Sequence, residues 1–145
     1  FFTRNLLSEM WILLLKQIQE TENVGITREN YNQERLISML SYIHTHYKEK
    51  ITLEEIAESA SISKRECLRC FQQGVRQSPF QYLVAYRIEQ AKKMLENTQM
   101  SVTMIALETG FSNGAYFCKI FHRECGISPG AYREKRMKEF LVEES

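Results

Sequence analysis

The chain has 145 residues, of which 43% are hydrophobic and 26% are charged, and its net charge is +1. This composition is typical of a globular protein and excludes an intrinsically disordered chain. Every acidic residue is a glutamate and only two residues are prolines, which favours long helices. We therefore predict an all-α fold.

The charge is unevenly distributed along the chain. Residues 47–138 carry 15 Lys and Arg against 10 Glu, whereas the remaining residues carry 4 against 8. The basic segment therefore differs from the rest of the chain in the partners that it favours.

The first 20 residues have an apolar stripe at helical spacing, and we predict an apolar N-terminal helix there. The unbroken apolar run from Met10 to Leu15 is much shorter than the roughly 20 residues that a membrane span needs, so we expect a protein partner and no membrane contact. Because the chain starts at Phe1 instead of methionine, we expect a preceding part of the protein to be missing. Residues 21–32 are polar and are predicted to be a linker.

Two similar units follow, at about residues 51–77 and 100–127. Thr52 and Ser101 are each placed to cap a short helix, and Glu55 can complete a capping box with Thr52. Ile56-Ala57 recurs as Ile105-Ala106 after 49 residues. Each unit has a short helix, a tight turn and a second helix, which is the order of a helix-turn-helix.

The turn of the second unit contains Gly110, which can adopt the left-handed conformation that ends a helix, and Ser112 is predicted to cap the next helix. The first unit has Ser61 in place of Gly110, and Arg76 in place of Gly126. If these two residues adopt a positive φ, each costs about 1 kcal/mol relative to glycine.

A long helix over residues 79–97 is predicted between the units, because Ser78 can cap it, Pro79 suits its first position and Gln81 can complete a capping box. About 18 residues at 1.5 Å each span roughly 27 Å, which with the flanking helices approaches one DNA turn of about 34 Å. The residues predicted to form its inner face are Phe80, Leu83, Val84, Ile88, Ala91, Met94 and Leu95.

The segment from about Ile51 to Arg136 resembles the C-terminal DNA-binding domain of the AraC/XylS family of bacterial transcription regulators. The matching stretches are LEEIA, SISKRECLRCF, SPFQYLVAYRIEQAKKML, SVTMIALETGFSNGAYFCKIF and GISPGAYR. The resemblance implies two helix-turn-helix subdomains joined by the long linker helix, each placing its second helix in the major groove of double-stranded DNA.

The same resemblance implies a domain organisation. Residues 33–138 would form the DNA-binding domain, residues 139–145 a tail, and residues 1–32 the last helix and linker of an effector-binding and dimerisation domain. A homodimer, a small-molecule effector, contact with RNA polymerase and a cytoplasmic location are expected on this basis, whereas activation and repression are not distinguished.

The outward positions of the two second helices are the candidate DNA-binding residues. We expect Arg69, and to a lesser degree Arg65, to contact bases, since a guanidinium can donate to O6 and N7 of guanine. Solvated surface charge is the alternative explanation for both. The full set is Lys64, Arg65, Leu68, Arg69 and Gln72 in the first unit, and Asn113, Ala115, Cys118, Lys119 and His122 in the second.

The four cysteines do not favour a metal site. Cys67 and Cys70 lie on a core-facing stripe, and Cys118 and Cys125 are seven positions apart, which is wider than a usual zinc-ligand pair. Cys118 is predicted to face outward, as a groove contact or as a thiol sensor. The histidines have no acidic partner at catalytic spacing, so we predict no enzyme activity and no cofactor.

A second function class stays open at this point. The apolar first helix would also suit a helical protein-interaction or dimerisation module in which the basic face is incidental. Salt-dependent binding to random duplex DNA separates the two, because phosphate neutralisation releases counterions.

Overall fold

A computed structural model of the chain describes residues 28–144. This part of the chain is helical and has no strand, which confirms the all-α prediction. The predicted helix of residues 1–20 lies outside the described residues. The helices are α1 (Arg28–His46), α2 (Leu53–Ser59), α3 (Lys64–Gly74), α4 (Pro79–Asn97), α5 (Val102–Glu108), α6 (Gly114–Cys125) and α7 (Pro129–Glu144).

Helices α1 and α7 are longer than the sequence predicts. Residues 28–32, predicted as linker, form the first part of α1, and residues 139–144, predicted as tail, continue α7. Neither stretch contains glycine or proline, so nothing in it interrupts a helix that packing stabilises further along. Between residues 28 and 144, no helix has the length and apolar character needed to cross a bilayer.

The first helical bundle consists of α1, α2, α3 and the first half of α4. Its helices bury apolar side chains at three- and four-residue spacing, as the sequence pattern predicts. The buried residues are Leu36, Met39, Leu40, Ile43, Ile51, Ile56, Ala57, Cys67, Cys70, Phe71, Val75, Tyr82, Leu83 and Ala85.

The second bundle consists of the second half of α4 together with α5, α6 and α7. Aromatic rings from α6 and the preceding turn fill its centre, with ring centroids 5.0 Å apart for Phe111 and Phe117 and 5.7 Å apart for Phe117 and Phe121. The buried residues are Ile88, Ala91, Leu95, Ile105, Ala106, Phe111, Phe117, Ile120 and Phe121.

Helix α4 therefore joins the two bundles by contributing to both cores. The prediction that Phe80 belongs to the inner face of α4 is wrong, because its side chain is 45% exposed. The buried residues of this first turn are Pro79, Tyr82 and Leu83, and Phe80 lies on the other side of the helix. Val84 and Met94 are half-buried, and Leu83, Ile88, Ala91 and Leu95 are buried.

The predicted N-caps are confirmed at Thr52, Ser78 and Ser101, and Ser63 caps α3 in the same way. Each hydroxyl accepts a hydrogen bond from the amide three residues further on, at 3.1–3.2 Å. At Ser78 the capping box is complete, since the Gln81 side chain accepts from the Ser78 amide at 2.9 Å. These bonds satisfy amides at the start of each helix that have no partner inside it.

Four residues of the described chain have a positive φ, at equivalent places in the two bundles. Gly110 (φ 92°) confirms the predicted left-handed turn, and Gly126 (φ 80°), Ser61 (φ 56°) and Arg76 (φ 54°) also have a left-handed conformation. The two non-glycine residues each cost about 1 kcal/mol. The first bundle therefore carries backbone strain that the second avoids.

Aromatic stacking holds α1 against α4. The ring of His44 lies 4.1 Å from that of Tyr86, nearly parallel, and His44 Nε2 shares a 2.6 Å hydrogen bond with the Tyr82 hydroxyl. Burial lowers the pKa of His44 to about 4. The imidazole is therefore neutral in the folded protein at neutral pH.

Alanine substitutions at the two glycines separate backbone strain from close packing. An added Cβ at Gly126 would have no heavy atom within 4 Å, whereas at Gly110 it would lie 2.5 Å from the Tyr47 carbonyl oxygen. We expect Gly126→Ala to lower the free energy of unfolding by about 1 kcal/mol. Gly110→Ala should lower it distinctly more. Urea unfolding followed by circular dichroism measures both, and equal losses would contradict the close approach at Gly110.

The buried histidine predicts a pH dependence of stability. In the unfolded chain His44 is protonated below a pH of about 6.5, whereas in the folded chain it is protonated only below about pH 4. The free energy of unfolding should therefore fall as the pH is lowered from 7 to 5. His44→Gln should flatten this slope. A slope that survives in His44→Gln would assign the effect to other groups.

Candidate nucleic-acid interface

Helix α3 is the first candidate recognition helix, and its amphipathic pattern fixes which side faces solvent. Cys67, Cys70 and Phe71 are buried on one side. All five predicted contact residues on the other side are exposed, which confirms their outward position. They are Lys64, Arg65, Leu68, Arg69 and Gln72.

Three cations on this face differ in their partners. Lys64 Nζ pairs with Glu54 Oε1 of α2 at 3.0 Å, and Arg69 Nη1 lies 3.5 Å from Glu66 Oε1. Among the described residues, no side chain pairs with Arg65. Exposed ion pairs of this kind contribute little stability, so phosphate or base atoms can replace their acidic partners. Arg65 is nearer the helix N-terminus, the end that enters the groove in helix-turn-helix complexes. We therefore expect Arg65 to make the stronger base contact, which reverses the order expected from the sequence.

Helix α6 is the second candidate recognition helix, and the prediction that Ser112 caps it is wrong. Asn113 is the N-cap, and its Oδ1 accepts from the Tyr116 amide at 2.7 Å. The turn after α5 is one residue longer than the turn after α2, so Ser63 of the first unit corresponds to Asn113. Capping occupies the Asn113 oxygen, which leaves its amide NH2 group to donate to DNA.

The outward side of α6 agrees with the prediction at four positions and differs at one. Asn113, Ala115, Lys119 and His122 are exposed. Cys118, predicted to face outward, is half-buried and packs against the second core. A small thiol at the edge of the apolar stripe is drawn into contact with the core. A groove contact or thiol-sensor role for Cys118 is less favoured by this position.

Tyr116 is a candidate contact residue that the sequence pattern did not identify. It is 47% exposed on the outer side of α6, and its ring centroid lies 6.1 Å from that of Phe111. Aligning the N-caps of the two helices places Tyr116 at the position of Glu66 in α3. Because Glu66 is not among the candidate contact residues, the equivalence of the two units did not indicate Tyr116.

The cysteines of the first core are not arranged to bind metal. Burial, with Cys70 nearby, raises the pKa of the Cys67 thiol to about 11, which disfavours the thiolate that zinc requires. In the described part of the chain, no three His, Cys or Glu side chains form a group that could hold a metal ion.

Comparisons with known proteins point to the same architecture. A family model described as a helix-turn-helix domain matches residues 56–135. The uncharacterized transcriptional regulator YdeC of Bacillus subtilis is 34% identical over 106 residues, covering 73% of this chain and 36% of YdeC. The transcriptional activator RhaS of Shigella boydii is 31% identical over 134 residues, covering 92% of this chain and 46% of RhaS. The chain thus spans less than half the length of these relatives.

Two solved structures are similar over most of the described residues. An AraC-type DNA-binding-domain regulator from Chromobacterium violaceum has a TM-score of 0.69 and 28% identity, covering 72% of this chain and 93% of that one. The DNA-binding domain of AdpA, crystallised with a target DNA, has a TM-score of 0.69 and 30% identity, covering 72% of this chain and 95% of that one.

Substitutions on the two helices test the candidate interface by site selection from a randomised duplex library. We expect Arg65→Ala, and to a smaller extent Arg69→Ala, to relax the preference at one or two base pairs, each by about 1–3 kcal/mol. Lys119→Ala should alter the other half of the site, about one helical turn away. The matched control Lys138→Ala, near the end of α7, should select the wild-type sequence. A uniform loss of affinity with unchanged preferences would make the arginines phosphate contacts only.

Proposed function

The chain belongs to the AraC-type family of helix-turn-helix transcription regulators, and we propose that it binds double-stranded DNA of specific sequence with α3 and α6 in successive major-groove segments. The observation that carries this proposal is the duplicated arrangement itself. Both helices are capped, both bury one side in a core, and both expose a polar, cationic side. One continuous helix, α4, connects the two units.

The dimensions of α4 support simultaneous insertion of both helices. Its 19 residues span about 28 Å, close to the length of one DNA turn once the adjoining helices are included. Because α4 is buried in both bundles, the two units cannot separate without exposing core residues. A single duplex face can therefore meet both helices.

The exposed side chains of α3 and α6 suit contacts to phosphates and to base edges. Lys64 and Lys119 are exposed ammonium groups that fit phosphates, whereas Arg65 and Arg69 have planar donors that fit base edges. The relatives are named as transcription regulators, which supports a binding role without catalysis.

Further properties of the whole protein stay predictions from the family resemblance. These are residues 33–138 as the DNA-binding domain, homodimerisation through the N-terminal segment, and control by a small molecule bound by another domain. Contact with RNA polymerase and a cytoplasmic location belong with them.

One observation favours the alternative of a protein-interaction module. The last part of α7 exposes apolar side chains, with Met137 55%, Phe140 60% and Leu141 62% exposed. Such a surface suits contact with another protein. It does not involve the cationic sides of α3 and α6, so the two functions separate experimentally.

A salt titration of binding to a random duplex tests the DNA-binding proposal. The logarithm of the binding constant should fall linearly with the logarithm of salt concentration, with a slope of about −0.9 for each phosphate neutralised. Lys64→Ala and Lys119→Ala should each reduce the slope by about 1, while the control Lys138→Ala should leave it unchanged. Absence of binding, or binding without salt dependence, would favour the protein-interaction alternative.

A further inference from the structure

Helix α4 passes from one core to the other near its centre. Tyr82, Leu83 and Ala85 lie in the first core, and the first buried residue of the second core is Ile88. Arg87 lies at this transition and is half-buried. A change in helix direction here would move α6 relative to α3, because each bundle moves with its half of α4.

Arg87 ties this part of α4 to the loop that follows α1. Its Nε donates to the Tyr47 carbonyl at 2.8 Å, and its Nη2 donates to the Glu49 carbonyl at 2.9 Å. A planar guanidinium can make both bonds at once. The Tyr47 ring also meets the Tyr86 ring edge-on, with centroids 5.2 Å apart.

The turn of the second unit packs directly on the first of these hydrogen bonds. A Cβ added to Gly110 would lie 2.5 Å from the Tyr47 carbonyl oxygen and 2.8 Å from Arg87 Nε. Only a residue without a side chain allows this approach. Tyr47, Glu49, Arg87 and Gly110 thus form one contact between the first bundle, α4 and the second bundle, which we term the Arg87 joint.

Within residues 28–144, the helices of the two bundles otherwise meet mainly through α4. The substantial helix–helix contacts are within a bundle or with α4, and none joins α1, α2 or α3 directly to α5, α6 or α7. At the Arg87 joint, a turn of the second bundle contacts a loop of the first.

We propose that Arg87 is a positioning residue that fixes the distance and rotation between α3 and α6, and thereby determines which half-site spacing the protein prefers. This inference rests on the proposed DNA binding. Arg87 acts through the loop and the turn that it holds together, so it need not touch DNA. Changing the spacing by one base pair moves one half-site by about 3.4 Å and rotates it by about 34°, which a rigid pair of helices cannot follow.

The test uses the full 145-residue chain and duplexes derived from its own preferred sequence. That sequence is first selected from a randomised library, and duplexes with one base pair inserted or deleted between its two half-sites are then made. Affinities are measured for the wild type, Arg87→Met, Arg87→Lys and Lys93→Met. Lys93 is exposed on the same helix, so its substitution removes the same charge without affecting the joint.

For the wild type and Lys93→Met we expect about a tenfold loss of affinity when the spacing is changed. For Arg87→Met we expect this loss to be about threefold or less, and we expect weaker binding to the duplex with the selected spacing. Arg87→Lys keeps the charge but replaces the guanidinium, which makes two hydrogen bonds, with a single ammonium group. Its loss of affinity on changing the spacing should therefore lie between those of the wild type and Arg87→Met. Circular dichroism and urea unfolding establish that each variant is folded. If Arg87→Met does not fold, Gly110→Ala replaces it, with Gly126→Ala as the control that has the same backbone conformation.

Two results would overturn the inference while leaving DNA binding intact. One is a folded Arg87→Met that binds every duplex more weakly by the same factor, since Arg87 would then only stabilise the fold. The other is a wild type that tolerates altered spacing. Failure of the wild type to select any sequence, with no salt-dependent binding, would instead reject the proposed function and this inference with it.

Discussion

The burial of one helix in two cores is the constraint on which the rest of the structure depends. Helix α4 contributes Leu83 to the first core and Leu95 to the second, and neither bundle closes without it. Its helix runs without a break from the first core into the second, and the Arg87 joint holds the two bundles together near its centre. Two small domains thereby present their second helices as one surface.

The two bundles share this design but differ in how their turns are built. Glycine occupies the left-handed positions of the second bundle, whereas Ser61 and Arg76 occupy those of the first. Packing of the first core, including the aromatic contacts around His44, must offset that strain of about 1 kcal/mol per residue. Gly110 has a further role, because its missing side chain lets the second bundle approach the Tyr47 carbonyl.

The candidate interface combines fixed and adjustable parts. The caps at Ser63 and Asn113 and the buried sides of α3 and α6 fix where each helix begins and which side it presents. The cations on those sides are either unpaired, as Arg65 is, or held in exposed ion pairs of small stability, as Lys64 is. The helices can therefore be rigid while their charged ends rearrange on a nucleic acid.

The sequence by itself determined what depends on near neighbours in the chain. The caps at Thr52, Ser63, Ser78 and Ser101 follow from a hydroxyl and an amide three residues apart, and the buried sides of α3 and α6 follow from helical periodicity. Ser112 and Asn113 are both suitable N-cap residues, and only the length of the folded turn determined which of them caps α6. The exposure of Phe80 and the partial burial of Cys118 depended on which side of each helix packs against a core. The Arg87 joint joins residues about 40 and 23 positions apart, a separation at which no local pattern records the contact, so only the tertiary structure could bring those groups together.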